Sequence, residues 1–115
     1  VLLEGGELIE KTSFSCGGAE AFEQLIKGAD QQYVLISGIE THVCVLQTAL
    51  DVLAWGKTPV IVENCTSSRK LDDKRVALER MARAGAVITT YESILLELCG
   101  DSRAPEFKAI SKLIK

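Results

Sequence analysis

The sequence is short of the features that would place it in several large functional classes. It has no CxxC pair: Cys16, Cys44, Cys65 and Cys99 are widely and irregularly spaced. That spacing signals neither a zinc site nor a redox dithiol. Three of these four cysteines stand in apolar or helical surroundings, which suits a reducing compartment better than a disulfide framework, and a cytoplasmic location is expected. There is no excess of positive charge, since the net charge is −3, so neither nucleic acid nor an anionic membrane surface is an expected partner. No apolar run approaches the ~18 residues of a membrane span, and no signal-peptide pattern is visible. No GxGxxG follows any strand-like run, which weakens a dinucleotide-binding reading. Histidine occurs once, as His42, and no metal or other cofactor is expected. Repeats and low-complexity tracts are absent too.

What is present is a regular alternation of strand and helix patterns. The 115 residues are 47% hydrophobic and fit one globular unit at most. Glu7–Lys11 has strand character, with Lys11 at its carboxyl end, and the glycine-containing loop Thr12–Gly18 follows. Ala19–Lys27 is amphipathic: Phe22, Leu25 and Ile26 form one stripe, Glu20, Glu23 and Lys27 the wet side, and Gly28 a natural stop. Tyr33–Ser37 reads as a central strand and Thr41–Ala54 as a largely apolar helix with a narrow ridge of Gln47 and Asp51. A helix so apolar is expected against the sheet and a subunit partner, so a homo-oligomer is expected. Pro59–Glu63 is a further strand, with a polar turn at Cys65–Arg69 in which Ser67 or Ser68 could cap the next helix.

Leu71–Ala84 carries Asp72 and Asp73 in its first turn and Arg80 and Arg83 in its last, complementing the helix dipole, with Gly85 as the stop. Ala86–Thr89 is a short strand. Thr89 and Glu92 have capping-box spacing for a helix through Leu98, and Pro105 can open a last helix bearing Phe107, Ile110 and Ile114. Such alternation predicts an α/β fold: a three-layer αβα, Rossmann-like open parallel sheet with helices on both faces.

In a parallel sheet every strand's carboxyl end lies at one rim, where ligands bind at a topological switch point. Lys11, Cys44 and the Ser67-Ser68 pair therefore share that rim. Cys44 falls in the first turn or so of a helix that follows directly on a strand. Unpaired N–H groups and the positive end of the helix dipole favour an anion there, making Cys44 a reactive thiol by placement. Against this, free cysteine often serves as a small hydrophobe, and Val43, Val45 and Leu46 are apolar neighbours. His42 lies two residues from Cys44, and helix positions two apart do not face each other. A rim or packing role suits it better than a Cys–His pair.

The string Gly38-Ile39-Glu40-Thr41-His42-Val43-Cys44-Val45-Leu46-Gln47-Thr48-Ala49 closely resembles the nucleophile segment of the isochorismatase-like cysteine hydrolases. Lys11-Thr12-Ser13-Phe14-Ser15 looks like that family's lysine motif, and Glu63-Asn64-Cys65-Thr66-Ser67-Ser68-Arg69 like its strand-end segment. The tail from Thr89-Thr90-Tyr91-Glu92-Ser93 to Phe107-Lys108 is similar to the subgroup of isochorismatase domain-containing proteins. The resemblance implies a working set of cysteine, lysine and aspartate. The cysteine and lysine map onto Cys44 and Lys11, and the aspartate belongs to a strand that residues 1–115 do not match. Asp30 and Asp51 are not candidates for it.

The family also implies a cis peptide between Ile39 and Glu40, which aims the backbone N–H groups of Glu40 and Cys44 into an oxyanion hole. Phe14 and Thr41 are candidate lining residues of a substrate pocket. The implied activity is hydrolysis of a small amide-like molecule through a covalent acyl-enzyme on Cys44. A catalytically silent scaffold or ligand-binding oligomer is the alternative, and an aspartate or its substitute in the upstream sequence separates the two. On this resemblance, residues 1–115 are expected to form the C-terminal portion of a single isochorismatase-like hydrolase domain. The start at Val1 fits a piece of a longer protein, and Glu7–Lys11 is expected to need sheet neighbours from elsewhere.

Overall fold

Thr58–Ser67, strand β2, is the element that the rest packs around in the structure, a computed structural model that describes residues 5–115. Its alternation sorts the core into two layers, because successive strand side chains point to opposite faces. Ile61 joins the larger cluster with Ile36, Val45, Leu46, Ala49, Val52, Ala77, Met81 and Ala86. Val60 and Val62 point the other way and pack with Ile94.

The sheet is parallel, with order β1-β2-β3, where β1 is Tyr33–Ile39 and β3 is Val87–Thr89. Helix α2 (Leu46–Ala54) connects β1 to β2 and helix α3 (Leu71–Ala84) connects β2 to β3. Strands added in one direction keep both crossover helices on one face, and residues of α2 and α3 share the larger core cluster accordingly. Helix α4 (Tyr91–Cys99) supplies Ile94 to the opposite face, completing three layers. Helix α1 (Glu20–Gly28) precedes β1, where Phe22 meets Trp55 with ring centroids 6.1 Å apart. Helix α5 (Phe107–Leu113) packs on α4. The expected α/β fold is what the chain adopts.

The α4 face is thinly covered. Leu35 is 50% exposed on it, and Tyr33, Val87 and Leu98 line the same apolar groove. Among the described residues β1 has no partner on its other side.

Several local expectations are corrected. Glu7–Lys11 forms no strand; a strand needs a hydrogen-bonded neighbour, none is supplied, and Leu8 stands 93% exposed. β2 runs beyond Glu63 through the segment expected to be a turn. A register shift between Ile36 and Gly38 lets Gly38 and Ile39 pair with Thr66 and Ser67. Neither Ser67 nor Ser68 caps α3, whose N-cap is Lys70 without a side-chain bond. The cap of α4 is Thr90, not Thr89, its hydroxyl accepting from the Ser93 N–H. Gly28 is the last residue of α1, and Ala29 the cap. Residues 1–4, too short to assign from sequence, lie outside the described residues.

Candidate active site

The rim of the sheet is built where β1 ends. Gly38 has φ +122°, a left-handed value that side chains rarely allow, and the following Ile39–Glu40 peptide is cis. Thr41–Val45 then forms one π-helical turn before α2 begins. Such turns widen the helix and often occur at functional sites. The Glu40 carbonyl accepts from both the Val43 N–H (3.1 Å) and the Val45 N–H (3.2 Å). Cys44 lies between those two donors in sequence, within this turn, partly buried and free of any disulfide.

The extended pairing of β2 brings a second group of side chains to this turn. Arg69 donates to the Glu40 carboxylate through its backbone N–H (3.1 Å) and its Nε (3.0 Å). His42 Nδ1 is 2.9 Å from Ser68 Oγ, and its Nε2 is 3.9 Å from Asp73 Oδ2 at the start of α3. Both ring nitrogens thus face partners other than Cys44, in keeping with a rim role. Thr41 is completely buried, and its hydroxyl has no hydrogen-bond partner among the described residues. As a pocket residue it would have to be reached from inside the fold, whereas Phe14 is 62% exposed.

Lys11 is carried by a loop rather than by a strand end. Its ammonium donates to the carbonyls of Ser13 (2.9 Å) and Phe14 (3.0 Å). The same loop is fastened to α2. Ser15 Oγ donates to Asp51 Oδ2 at 2.5 Å, within the range of a short charge-assisted bond. Thr48 Oγ1 accepts from the Cys16 N–H at 2.9 Å, and Ser15 Oγ accepts from the Gly17 N–H at 2.9 Å. Lys11 therefore reaches the helix of Cys44 through its loop; its own hydrogen bonds are to Ser13 and Phe14.

Asp51 and Thr48 were not singled out as site residues from the sequence. One signal was available: Cys44, Thr48 and Asp51 recur at helical spacing, which puts them on one face. The link from Ser68 to His42 had no such signal, because it depends on the register shift. Among the described residues no cluster of three or more His, Cys, Asp or Glu side chains is arranged to hold a metal ion. Among the described residues no helix is long and apolar enough to cross a membrane.

Comparison with known proteins adds a consistent set of likenesses. The family model for the isochorismatase domain matches residues 1–93. Isochorismatase domain-containing protein 1 of Salmo salar is 47% identical over 114 residues, which are 98% of this chain and 40% of that protein. A solved structure described as the MAR1 ribonuclease of Caenorhabditis elegans is 42% identical with TM-score 0.82, over 90% of this chain and 53% of its own. YcaC of Escherichia coli, described as an octameric hydrolase of unknown specificity, is 26% identical with TM-score 0.77, over 82% of this chain and 46% of its own. The chain spans about half the length of the curated relatives it matches, from 40% to 54%.

Proposed function

The chain belongs to the isochorismatase family, and we propose that it carries the nucleophile of a cysteine hydrolase acting on a small amide-like substrate. Residues 1–115 are then the C-terminal portion of one hydrolase domain. The observation that carries the reading is the turn around Cys44. The Glu40 carbonyl collects the N–H groups of Val43 and Val45 on either side of it. On this reading the N–H groups of Cys44 and Glu40 form the oxyanion hole. Donors aimed at a developing oxyanion are often the largest single contribution to catalysis.

In the reaction the Cys44 thiolate attacks the substrate carbonyl, and the carbonyl π electrons move onto oxygen. Collapse of the tetrahedral intermediate breaks the C–N bond and leaves a thioester on Cys44. The departing amine takes a proton from a general acid. Water then adds to the thioester, the C–S bond breaks, and the carboxylic acid is released. The Lys11 ammonium stabilises the thiolate and the negative charge that develops on oxygen. Asp51 is occupied by Ser15, and Asp30 sits before β1, at the opposite edge of the sheet. The resemblance assigns the general acid and base to an aspartate of the family's first strand, to which no residue of this sequence is matched. No metal or other cofactor enters the scheme.

A ribonuclease reading comes with the Caenorhabditis elegans relative. Phosphodiester binding relies on Lys and Arg contacts to phosphate, and a net charge of −3 without a basic stripe does not favour it. The octameric YcaC supports a homo-oligomer here, and the scattered free cysteines support a cytoplasmic setting. A silent, ligand-binding oligomer is the second reading, favoured by one observation: neither Asp30 nor Asp51 is placed to serve as the base.

The test is turnover of a panel of small aliphatic and aromatic amides by the full-length protein. Cys44→Ala should abolish turnover and thioester formation detected by intact mass, while Cys65→Ala, on the exposed part of β2, leaves both unchanged. Turnover that survives Cys44→Ala would overturn the assignment.

A further inference from the structure

We propose that Asp51 is a positioning residue. By clamping Ser15 it seats the loop that carries Lys11 on the face of the helix that bears Cys44. The inference rests on the reading of Lys11 and Cys44 given above and extends it to a group that does not touch the reacting atoms.

Four observations converge on Asp51. Cys44, Thr48 and Asp51 succeed one another at single-turn spacing, so they share one side of the helix. The two later members both bind the loop, Asp51 through the Ser15 hydroxyl and Thr48 through the Cys16 N–H. Ser15 is only 9% exposed, so its hydroxyl is committed to this contact rather than to water. Gly17 lies so close to the Asp51 carboxylate that a Cβ there would overlap Oδ2. The loop is thus shaped to the carboxylate and not merely adjacent to it.

Lys11 depends on the same loop, since its ammonium is held by the carbonyls of Ser13 and Phe14. Moving Ser15 moves those carbonyls and with them the cation. Asp51 forms no salt bridge among the described residues, so its charge is spent on the Ser15 hydroxyl. A hydrogen bond from a neutral hydroxyl to a carboxylate is among the stronger and more directional contacts available for such a task.

The experiment measures alkylation of Cys44 by iodoacetamide across pH in the full-length protein, read by peptide mass, for wild type, Lys11→Ala, Asp51→Ala and the double variant. Lys11→Ala should slow Cys44 alkylation at pH 7 several-fold, as the role given to Lys11 requires. Asp51→Ala should slow it several-fold and displace the pH profile in the same direction. In the Lys11→Ala background Asp51→Ala should add nothing, because its effect runs through Lys11.

A wild-type pH profile in Asp51→Ala, whatever its melting temperature, would overturn the proposal. So would an undiminished effect of Asp51→Ala when Lys11 is already gone. If Lys11→Ala itself leaves the profile unchanged, the role given to Lys11 fails first and this inference with it. Should Asp51→Ala not fold, Ser15→Ala removes the same clamp from the other side, and a wild-type profile there overturns the proposal equally.

Discussion

His42 and Ser68 join the start of the Cys44 turn to the end of β2, with Nδ1 and Oγ 2.9 Å apart. The pair forms only because β2 continues to Ser67 and pairs with Gly38 and Ile39 past the register shift. His42 is 20% exposed in its side chain, so the bond is partly shielded from water. Replacing His42 with Ala should cost about 0.5–1.5 kcal/mol, the usual net worth of such a bond. Ser68→Ala should cost about as much, and the double variant no more than either alone. Urea unfolding of the four proteins checks this; strictly additive losses would show that the contact carries no coupling.

Met81 offers the sharpest test of the core. It is fully buried in α3 and belongs to the cluster that joins α2, α3 and the sheet. Met81→Ala removes buried side-chain volume that these rigid elements cannot collapse to fill, and should cost about 2–5 kcal/mol. Chemical denaturation monitored through Trp55 measures it. Met81→Leu, nearly equal in volume, should cost less than ~1.5 kcal/mol.

Much of this architecture was legible from local pattern. The apolar run at Tyr33 and the apolar helix that follows its strand required no distant information. The same holds for α3, whose end charges and Gly85 mark both termini. The errors have a common cause in long-range pairing. Glu7–Lys11 has the composition of a strand but no strand beside it. Cys65–Arg69 has the composition of a turn, yet its Thr66 and Ser67 are held extended by Gly38 and Ile39. The site divides in the same way. Cys44 is proposed from the strand-to-helix junction and the family resemblance. The bond from Ser15 to Asp51 crosses 36 positions of sequence and is invisible to any local pattern.

Gly17 is constrained by a neighbour rather than by its own backbone. A methyl group at this position would overlap the Asp51 carboxylate. Gly17→Ala should therefore destabilise the protein by about 1–3 kcal/mol, the usual cost of overpacking. The penalty should shrink in an Asp51→Ala background, because the nearest obstructing atoms, Oδ2 and Cγ, are gone while Cβ stays. Thermal melts of the two single variants and the double variant provide the cycle. An equal penalty in both backgrounds would locate the constraint elsewhere.

Asp101 supplies a prediction about pH. The Arg103 side chain, and then the Arg103 backbone N–H, hold its carboxyl below the usual aspartate range. A carboxyl lowered by folding binds fewer protons in the native state than in the unfolded one. Its stabilising contribution is therefore complete above the unfolded value and is lost as pH falls through the folded one. The side chain is about half exposed, so the effect on global stability should be slight, and the direct readout is the carboxyl carbon shift of Asp101 followed by NMR. In Arg103→Ala the midpoint should move up toward the ordinary aspartate value. A midpoint that stays put would mean that Arg103 is not its partner in solution.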